Sequence, residues 1–451
     1  MEMNLDLAVK KAQLKFDSEN VQVNTQVIDV TGQLIGMLKC DDWSNEQVNF
    51  LQGWLKKIDV ASKHYIQYQL DWKLYQPKTT LPNHYYDLTL VIALLYLRKI
   101  TTESKATGLV LKCCNVIYKL LDCVTSEVEL SPVAVDAHLQ SLLNTIQTVG
   151  KDASELATEN ISGGAVLPVT VLFWEGPIAR AYLETIKSMG LKVNKIIKMV
   201  SNLDLVTKKP VGKWLPQSMR NNYAANKQFK QIFYWPHLYQ SKYGETIKKI
   251  QNRVSLSYGF DNNTLLSATQ NKDLMQYTEK LDTLSISGLK DSKLFEKISQ
   301  EQDNLFLFTG GGIVPNELLS IEQKKLIHVH PGYLPEIRGA DCVLWSQLLT
   351  QRLSASAFFL APGIDVGDVI FPCWLPELRL NLSEQVENKV KYRMIYGFLD
   401  PWVRSFTLKQ TIISTNGLTE MTSKAQTESD GMTYHFMHEK IKQQAFKKFG
   451  W

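Results

Sequence analysis

From about residue 168 onward, short apolar runs alternate with segments of helix length, and this alternation limits the fold more than any other feature of the chain. Runs of strand length lie at residues 169–174, 193–200, 283–287, 305–309, 326–329 and 358–361. Residues 178–189 and 292–300 have the pattern of helices, whereas the polar, aromatic-rich residues 202–243 allow no assignment. Strands separated by helices form a parallel sheet covered on both faces. The sequence therefore predicts a doubly wound, Rossmann-like α/β domain whose ligands bind where the strands end.

The residues before this domain follow a different pattern. Apolar residues recur there at helical spacing, as at Val48, Leu51 and Leu55, which predicts an all-helical N-terminal domain. We expect it to contribute no catalytic group and to mediate protein contacts or oligomerisation. Residues 161–164, Ile-Ser-Gly-Gly, have the composition of a linker. The predicted domains are residues 1–160 (helical), 165–375 (catalytic) and 376–451 (a mostly helical extension ending in one basic helix over residues 432–451).

Composition and charge argue against several classes of protein. The net charge of +5 is spread along 451 residues without a dense Lys/Arg block, so a nucleic-acid partner is not expected. The longest apolar run, residues 90–97, is far shorter than the ~20 residues that span a bilayer, and no signal peptide is visible. The six cysteines lack Cys-x-x-Cys spacing, which favours reduced thiols over disulfides or a zinc site. We expect a cytoplasmic protein with no membrane association and no bound metal.

The residues with the clearest chemical potential lie at the ends of two predicted strands. His328 and His330 end one strand, and because side chains at i and i+2 share a face, both should point into one pocket. Asp365 follows the strand at residues 358–361 in a Pro-Gly turn. A histidine beside a carboxylate is suited to general acid–base chemistry. His328, His330 and Asp365 are therefore the candidate catalytic residues.

The segment from Leu289 to Ile370 resembles the catalytic domain of the folate-dependent formyltransferases, which include methionyl-tRNA, glycinamide ribonucleotide and sugar N-formyltransferases. Residues 311–315, Gly-Gly-Ile-Val-Pro, resemble the family's Gly-x-Ile-Leu-Pro turn. Residues 330–339, His-Pro-Gly-Tyr-Leu-Pro-Glu-Ile-Arg-Gly, resemble its His-Pro-Ser-Leu-Leu-Pro-x-x-Arg-Gly loop. Residues 363–370, Gly-Ile-Asp-Val-Gly-Asp-Val-Ile, resemble Gly-Leu-Asp-Thr-Gly-Asp-Ile-Leu. Each motif alone is weak, and their order and spacing carry the resemblance.

This resemblance implies transfer of a formyl group from 10-formyltetrahydrofolate to an acceptor amine on a small molecule, a sugar, or a carrier or peptide. His330 would hydrogen-bond the reacting centre and help to move the proton, and Asp365 would orient His330 and accept the proton of the amine. The family has an asparagine at the position of His328, where it donates to the oxyanion, and His328 is expected to replace that donor. Main-chain atoms of two loops would bind the folate: Gly311, Gly312, Ile313, Val314, Leu360, Ala361, Gly363 and Ile364.

Other functions are compatible with the same residues. His328, His330 and Asp365 could be three ligands of a metal-dependent hydrolase, although the remaining histidines show no ligand spacing around them. The chain could also be a binding protein that keeps the folate fold without turnover, because losing an oxyanion donor costs on the order of 10²–10³ in rate. Hydrolysis of the formyl group to formate is the alternative within the family.

Overall fold

The computed structural model describes residues 107–122, 132–146, 148–158, 161, 164–382, 385–427 and 431–451, together with residues 90, 93, 94, 97, 100 and 101. The chain divides into two compact units. One comprises Met1–Thr148 and His435–Gln444, and the other comprises Val149–Tyr434 and Ala445–Trp451. None of the helices within the described residues has both the length and the apolar character needed to cross a membrane.

The first unit contains the helices Thr107–Leu121 and Pro132–Thr145. Asn115 on the first helix fixes residues near the C-terminus, since its amide donates to the Phe436 carbonyl (3.2 Å) and its side-chain oxygen accepts from the His438 N–H (2.7 Å). The His438 ring stacks on Tyr118 with centroids 5.1 Å apart. Most of residues 1–106 lie outside the described residues, and so do Ser162 and Gly163 of the expected linker. An all-helical N-terminal domain and its boundary at residue 160 therefore stay predictions.

The second unit is built on a seven-stranded sheet. Its strands are β1 (Val166–Trp174), β2 (Lys192–Ser201), β3 (Leu281–Ile286), β4 (Leu305–Phe308), β5 (Lys325–His330), β7 (Ser354–Phe359) and β8 (Val369–Trp374), in the order β3-β2-β1-β4-β5-β7-β8. The first five are parallel, whereas β7 and β8 run antiparallel to their neighbours. A separate parallel pair joins β6 (Ile337–Gly339) to β9 (Met432–Tyr434). The predicted α/β domain with a parallel core is confirmed, and its antiparallel edge is an addition to the prediction.

Helices connect and cover these strands. Those of the second unit that precede β5 are Pro177–Ser188, Gln217–Ile232, Tyr234–Lys242, Gly244–Tyr258, Asn262–Ser267, Ser292–Gln300 and Asn316–Leu319, with a 3₁₀ turn at Leu274–Gln276. Cys342–Thr350, Asn388–Met394 and Asp400–Ser414 follow, and a π-helical turn, Ile395–Leu399, directly precedes Asp400. The helix Glu439–Lys448 is divided between the units, with residues 439–444 in the first and residues 445–448 in the second. Asp291 caps Ser292–Gln300, because its carboxylate accepts from the Lys293 N–H at 3.1 Å. This helix has the bounds that the sequence predicted.

Two segments differ from what the sequence indicated or left open. Residues 202–243, which allowed no assignment, contain the helices Gln217–Ile232 and Tyr234–Lys242. The expected single helix over residues 432–451 is instead the strand β9 followed by the helix Glu439–Lys448. Residues 432–434 form a strand because they pair with β6, and such a long-range partner cannot be predicted from the local sequence pattern.

The buried face of the sheet brings the two predicted folate loops to one core. Val314 belongs to a cluster with Phe306, Phe308 and Leu326, against which Leu360 also packs. Residues 149–158 are fixed to the same unit, since Ser154 N–H donates to the Trp374 carbonyl (2.9 Å). The domain proposed for residues 165–375 therefore has further contacts from the residues that precede it.

Candidate active site

The two histidines lie at the carboxyl end of β5, within the described sheet. His328 is half-buried between the rings of Phe308 on β4 and Phe358 on β7, with ring centroids 5.9 Å and 6.1 Å away. His330 is 3% exposed and lies opposite Ser356 in the antiparallel register of β5 and β7. Parallel strands that are covered on both faces leave polar side chains space only at their ends.

His328 has one ring nitrogen committed to the main chain. Its Nδ1 lies 3.2 Å from the carbonyl oxygen of Phe308, and only an N–H can donate to that oxygen. In the neutral ring Nε2 then carries a lone pair, and this nitrogen forms no hydrogen bond with any described residue. Burial, together with the positive charge of Arg404, lowers the pKa of His328 to about 4. At neutral pH the ring therefore presents an acceptor at Nε2, not the N–H donor that replacement of an asparagine was expected to provide.

Each ring nitrogen of His330 faces an oxygen atom that can accept a hydrogen bond. Nε2 lies 3.1 Å from the carbonyl oxygen of Ile337, and Nδ1 lies 3.3 Å from Oδ2 of Asp365. A neutral ring can donate to one of these oxygens, whereas an imidazolium donates to both. Burial lowers the pKa of His330, and the charge of Asp365 opposes that effect. The ring is thus neutral at rest and has acceptors already placed for a second proton.

Asp365 is held by main-chain contacts that leave one oxygen available. Its Oδ2 accepts from the Gly339 N–H at 2.9 Å in addition to facing His330, and its own carbonyl accepts from the Gln426 amide at 3.1 Å. The residue has φ 55°, a left-handed conformation that side chains seldom adopt. Oδ1 forms no hydrogen bond with a described residue, and the side chain is 17% exposed. The structure therefore brings Asp365 and His330 together, as expected, and leaves one carboxylate oxygen without a hydrogen bond to the described residues.

Glycines keep the loop after β5 close to the histidine. A Cβ on Gly332 would overlap the Ile337 carbonyl and His330 Nε2, and a Cβ on Gly339 would overlap the Tyr434 carbonyl. Gly339 also has φ 101°, which favours glycine. The β6–β9 pair therefore fixes the N–H that binds Asp365.

Several buried charged and phenolic groups around β5 were not anticipated. Arg404 donates from Nη1 to the Val329 carbonyl at 2.9 Å and from Nε to both oxygens of Asp400. Asp341 accepts from the hydroxyls of Tyr392 (2.7 Å) and Tyr396 (3.0 Å) through one oxygen. The Asp400–Arg404 spacing of i,i+4 on a helix was the only sequence signal for any of these contacts.

The proposed folate loops retain unpaired main-chain groups. The N–H and C=O groups of Gly311, Gly312, Ile313 and Val314 make no main-chain hydrogen bond with the described residues, and the same holds for Ala361, Gly363 and Ile364. The Leu360 N–H, in contrast, donates to the Leu326 carbonyl at 2.8 Å. Ile313 is 73% exposed at the tip of its loop.

A cavity of about 270 Å³ opens beside the first of these loops at the carboxyl ends of β1 to β4. Gly311 lines it, together with Trp174, Asp204, Lys208 and Leu289. None of the second loop, Leu360 to Ile364, is part of its wall. Of the two proposed folate loops, the first therefore contributes Gly311 to the wall of this cavity, whereas the second lies outside it.

A metal site has no support among the described residues, where no group of three or more His, Cys, Asp and Glu side chains could hold an ion. His330 has both nitrogens directed at protein oxygens. The alternative in which His328, His330 and Asp365 are metal ligands is therefore not favoured by the geometry.

Comparison with known proteins finds similarity over part of the chain. A methionyl-tRNA formyltransferase of Clostridioides difficile is 28% identical over 99 residues, which are 22% of this chain and 30% of that protein. One of Clostridium novyi is 30% identical over 87 residues, 19% of this chain and 28% of that protein. The chain thus spans less than a third of the length of these two relatives. No protein-family model matches it.

Solved structures with detectable likeness include a sugar N-formyltransferase from a Shewanella species, with 11% identity and a TM-score of 0.31 over 63% of this chain and 87% of that one. A methionyl-tRNA formyltransferase from Clostridium thermocellum has 17% identity and a TM-score of 0.26 over 38% of this chain and 70% of that one. At these scores the superpositions carry no argument about the site. The local sequence similarity is what relates this chain to other proteins.

The lowered pKa of His328 predicts how stability depends on pH. Unfolded histidine titrates near 6.5, whereas folded His328 titrates at about 4, so the unfolded chain binds more protons between these values. The contribution of this residue is complete above pH 6.5 and is lost as the pH falls toward 4, with a slope of at most about 1.4 kcal/mol per pH unit. Urea unfolding should show the stability of the wild type falling relative to His328→Asn over this window. A difference that is constant with pH would contradict the prediction.

Proposed function

Because part of the chain is related in sequence to the formyltransferases, we propose that it is an enzyme that transfers a formyl group from a reduced formyl folate to an amine. The observation that carries this proposal is the Asp365–His330 pair at the end of β5, in which one carboxylate oxygen stays available while the other is fixed. Such a pair can take up a proton and release it again. Formyl transfer to an amine requires this, since the amine loses a proton and the folate nitrogen gains one.

Main-chain groups of the two proposed loops support a folate as the formyl donor. The pterin ring has a row of donors and acceptors along its edge, and the unpaired main-chain groups at Gly311–Val314 and Ala361–Ile364 could meet them. The cavity of about 270 Å³ beside Gly311 is close to the lower limit of ~300 Å³ for small-molecule sites. When bound, 10-formyltetrahydrofolate would supply an electrophilic formyl carbon and a nitrogen that can leave with a proton.

Asp365 and His330 would handle the proton. Oδ1 of Asp365 accepts the proton that the amine loses as its nitrogen bonds to the formyl carbon. The proton stays on the carboxyl group of Asp365, whose other oxygen, Oδ2, lies 3.3 Å from Nδ1 of His330. His330 holds this carboxyl in place, and its Nε2 faces the Ile337 carbonyl. The same proton is returned to the departing nitrogen when its bond to the formyl carbon breaks, so that the pair ends in its starting state.

His328 takes a different role from the asparagine of the family. Since its N–H is directed at the Phe308 carbonyl, the lone pair of Nε2 would accept a hydrogen bond from the attacking amine and orient it. Burial and Arg404 keep the ring neutral, which this role requires. His328 is thus an amine-positioning group in the proposed reaction, and the formyl oxygen would depend on other donors.

Folate binding provides the first test. The 5-formyl or 10-formyl folate should stabilise the protein by about 2.7 kcal/mol at a hundred times its dissociation constant, measured as a shift in the unfolding transition. Gly311→Ala should fold normally, because nothing lies within 4 Å of its added Cβ, yet it should bind at least about tenfold more weakly, a loss of ~1.4 kcal/mol. Gly244→Ala, equally unobstructed and away from both loops, is the matched control. A folded wild type that shows no shift would refute the folate assignment.

Turnover tests the proton-handling pair. Asp365→Asn changes little volume and should keep folate binding while losing most turnover, about 10²–10⁴-fold for a general base. The exposed Asp368 in the same loop provides the control, since Asp368→Asn should retain activity. The readout is the mass gain of one formyl group on the amine. Near wild-type turnover of Asp365→Asn would place the base on another residue.

A second candidate concerns the acceptor, and the charge of residues 205–259 favours it. These residues hold ten lysines and arginines but a single acidic residue, Glu245, so the net charge of +5 conceals a strongly basic segment. Trp214, Tyr223 and Trp235 within it are 76%, 40% and 42% exposed. Basic side chains with exposed aromatic rings suit nucleic acids. The second candidate acceptor is therefore the amine of an aminoacylated tRNA, the substrate that the names of the curated relatives give for those proteins.

The two acceptor classes differ in their response to salt. With an aminoacyl-tRNA the apparent affinity should fall steeply with salt concentration, because each neutralised phosphate releases counterions. Lys209 and Lys213 are exposed and lie outside the cavity wall, so Lys209→Glu/Lys213→Glu should then lower kcat/KM for the tRNA and leave folate binding unchanged. Formylation of free amino sugars alone, with no reaction on charged tRNA, would exclude the tRNA and retain the small-amine acceptor.

A further inference from the structure

Arg404 is a buried cation placed directly behind the two histidines. It lies on the helix Asp400–Ser414, and its Nη1 donates to the Val329 carbonyl, the peptide between His328 and His330, at 2.9 Å. Asp400 holds its Nε through both carboxylate oxygens at 2.9 and 3.0 Å. The Arg404 side chain is 12% exposed and the Asp400 side chain is 1% exposed. A pair this deeply buried has a large desolvation cost and is weak evidence for stability by itself.

The carbonyl that Arg404 binds lacks a strand partner on its side. β4 pairs with β5 only as far as Leu307 opposite Ile327. The Leu326 carbonyl bonds toward the β7 side of β5, at Leu360, and because carbonyls alternate along a strand, that of Val329 is directed to the β4 side. Arg404 therefore provides the donor that the end of β4 does not provide, and it does so at the residue between the histidines.

We propose that Arg404, held by Asp400, is a positioning residue for both histidines: it fixes the peptide between them and its charge disfavours a second cation on either ring. A nearby positive charge raises the free energy of an imidazolium but leaves a neutral imidazole almost unaffected. The charged and titratable groups around the rings are Asp365 from the loop after β7, Asp400 and Arg404 from the helix, and the histidines themselves. Of these, the two carboxylates favour protonation, and Arg404 opposes it.

Only the catalytic role of Arg404 rests on the proposed function; its effect on the ionisation of the histidines does not. In the proposed reaction both rings are neutral before the amine binds, so that Nε2 of His328 is an acceptor and the Asp365–His330 pair can take up a proton. The ionisation of the histidines is therefore the property to measure, and it can be measured without folate, amine or turnover.

The experiment is an NMR titration of selectively labelled histidine in the full chain. Arg404→Gln keeps a donor but removes the charge and should raise the pKa of both His328 and His330, by roughly one unit. Arg404→Lys retains the charge and should restore pKa values near those of the wild type. Arg404→Gln/Asp400→Asn leaves no unpaired buried charge and serves if the single variant fails to fold.

A matched arginine provides the control. Arg352 also donates to main-chain carbonyls within the same unit, with Nη1 2.9 Å from the Leu375 oxygen, but it has no histidine beside it among its hydrogen-bond partners. Arg352→Gln should leave both histidine titrations unchanged. If turnover is found, the acid limb of kcat/KM should move to higher pH in Arg404→Gln, because the neutral rings are lost at higher pH.

The outcomes separate this inference from the proposed function. Histidine pKa values that do not change in a folded Arg404→Gln variant would overturn the positioning role, whatever the activity. A clear rise that Arg404→Lys reverses would support it even if no folate binds, and only the formyl-transfer proposal would then fail.

Discussion

Four neighbouring parallel strands, β2, β1, β4 and β5, are largely buried and impose one constraint on the rest of the second unit. Polar side chains cannot be accommodated along such strands without partners, so they collect where the strands end. His328 and His330 stand at the end of β5, and the main-chain groups of Gly311–Val314 follow β4. The histidines and the proposed folate loop Gly311–Val314 are therefore consequences of strand termination, and the chemistry available depends on which loops meet there.

The contacts at the end of β5 differ in what they do to protons. Asp365 faces His330 and favours its charged form, whereas Arg404 lies behind both rings and favours their neutral forms. The single N–H of neutral His328 is directed at the Phe308 carbonyl. With both rings neutral, the side chains at the end of β5 offer few hydrogen-bond donors and several acceptors. Attack by an amine, which arrives with protons to lose, is the kind of reaction that such a site suits.

Several elements of the fold follow from local sequence. The apolar run that became β1 and the helix Ser292–Gln300 with its Asp291 cap were predictable, because strand hydrophobicity and capping act over a few residues. The pairing of β6 with β9 was not predictable, since residues 337–339 and 432–434 are far apart in sequence and short. The helices within residues 202–243 were also missed, because their aromatic residues obscure the helical pattern.

The sequence by itself determined the α/β order of the second unit and the place of His328 and His330 at the end of a strand, and the resemblance of its motifs suggested that Asp365 pairs with His330. Only the tertiary structure decided which atom of each ring is free, because hydrogen-bond direction depends on the Phe308 and Ile337 carbonyls. It also decided that Arg404 and Asp400 lie behind the histidines. Their i,i+4 spacing predicts an ion pair on any helix, but the energy of that pair and its effect on neighbouring rings arise from burial, which no local pattern specifies.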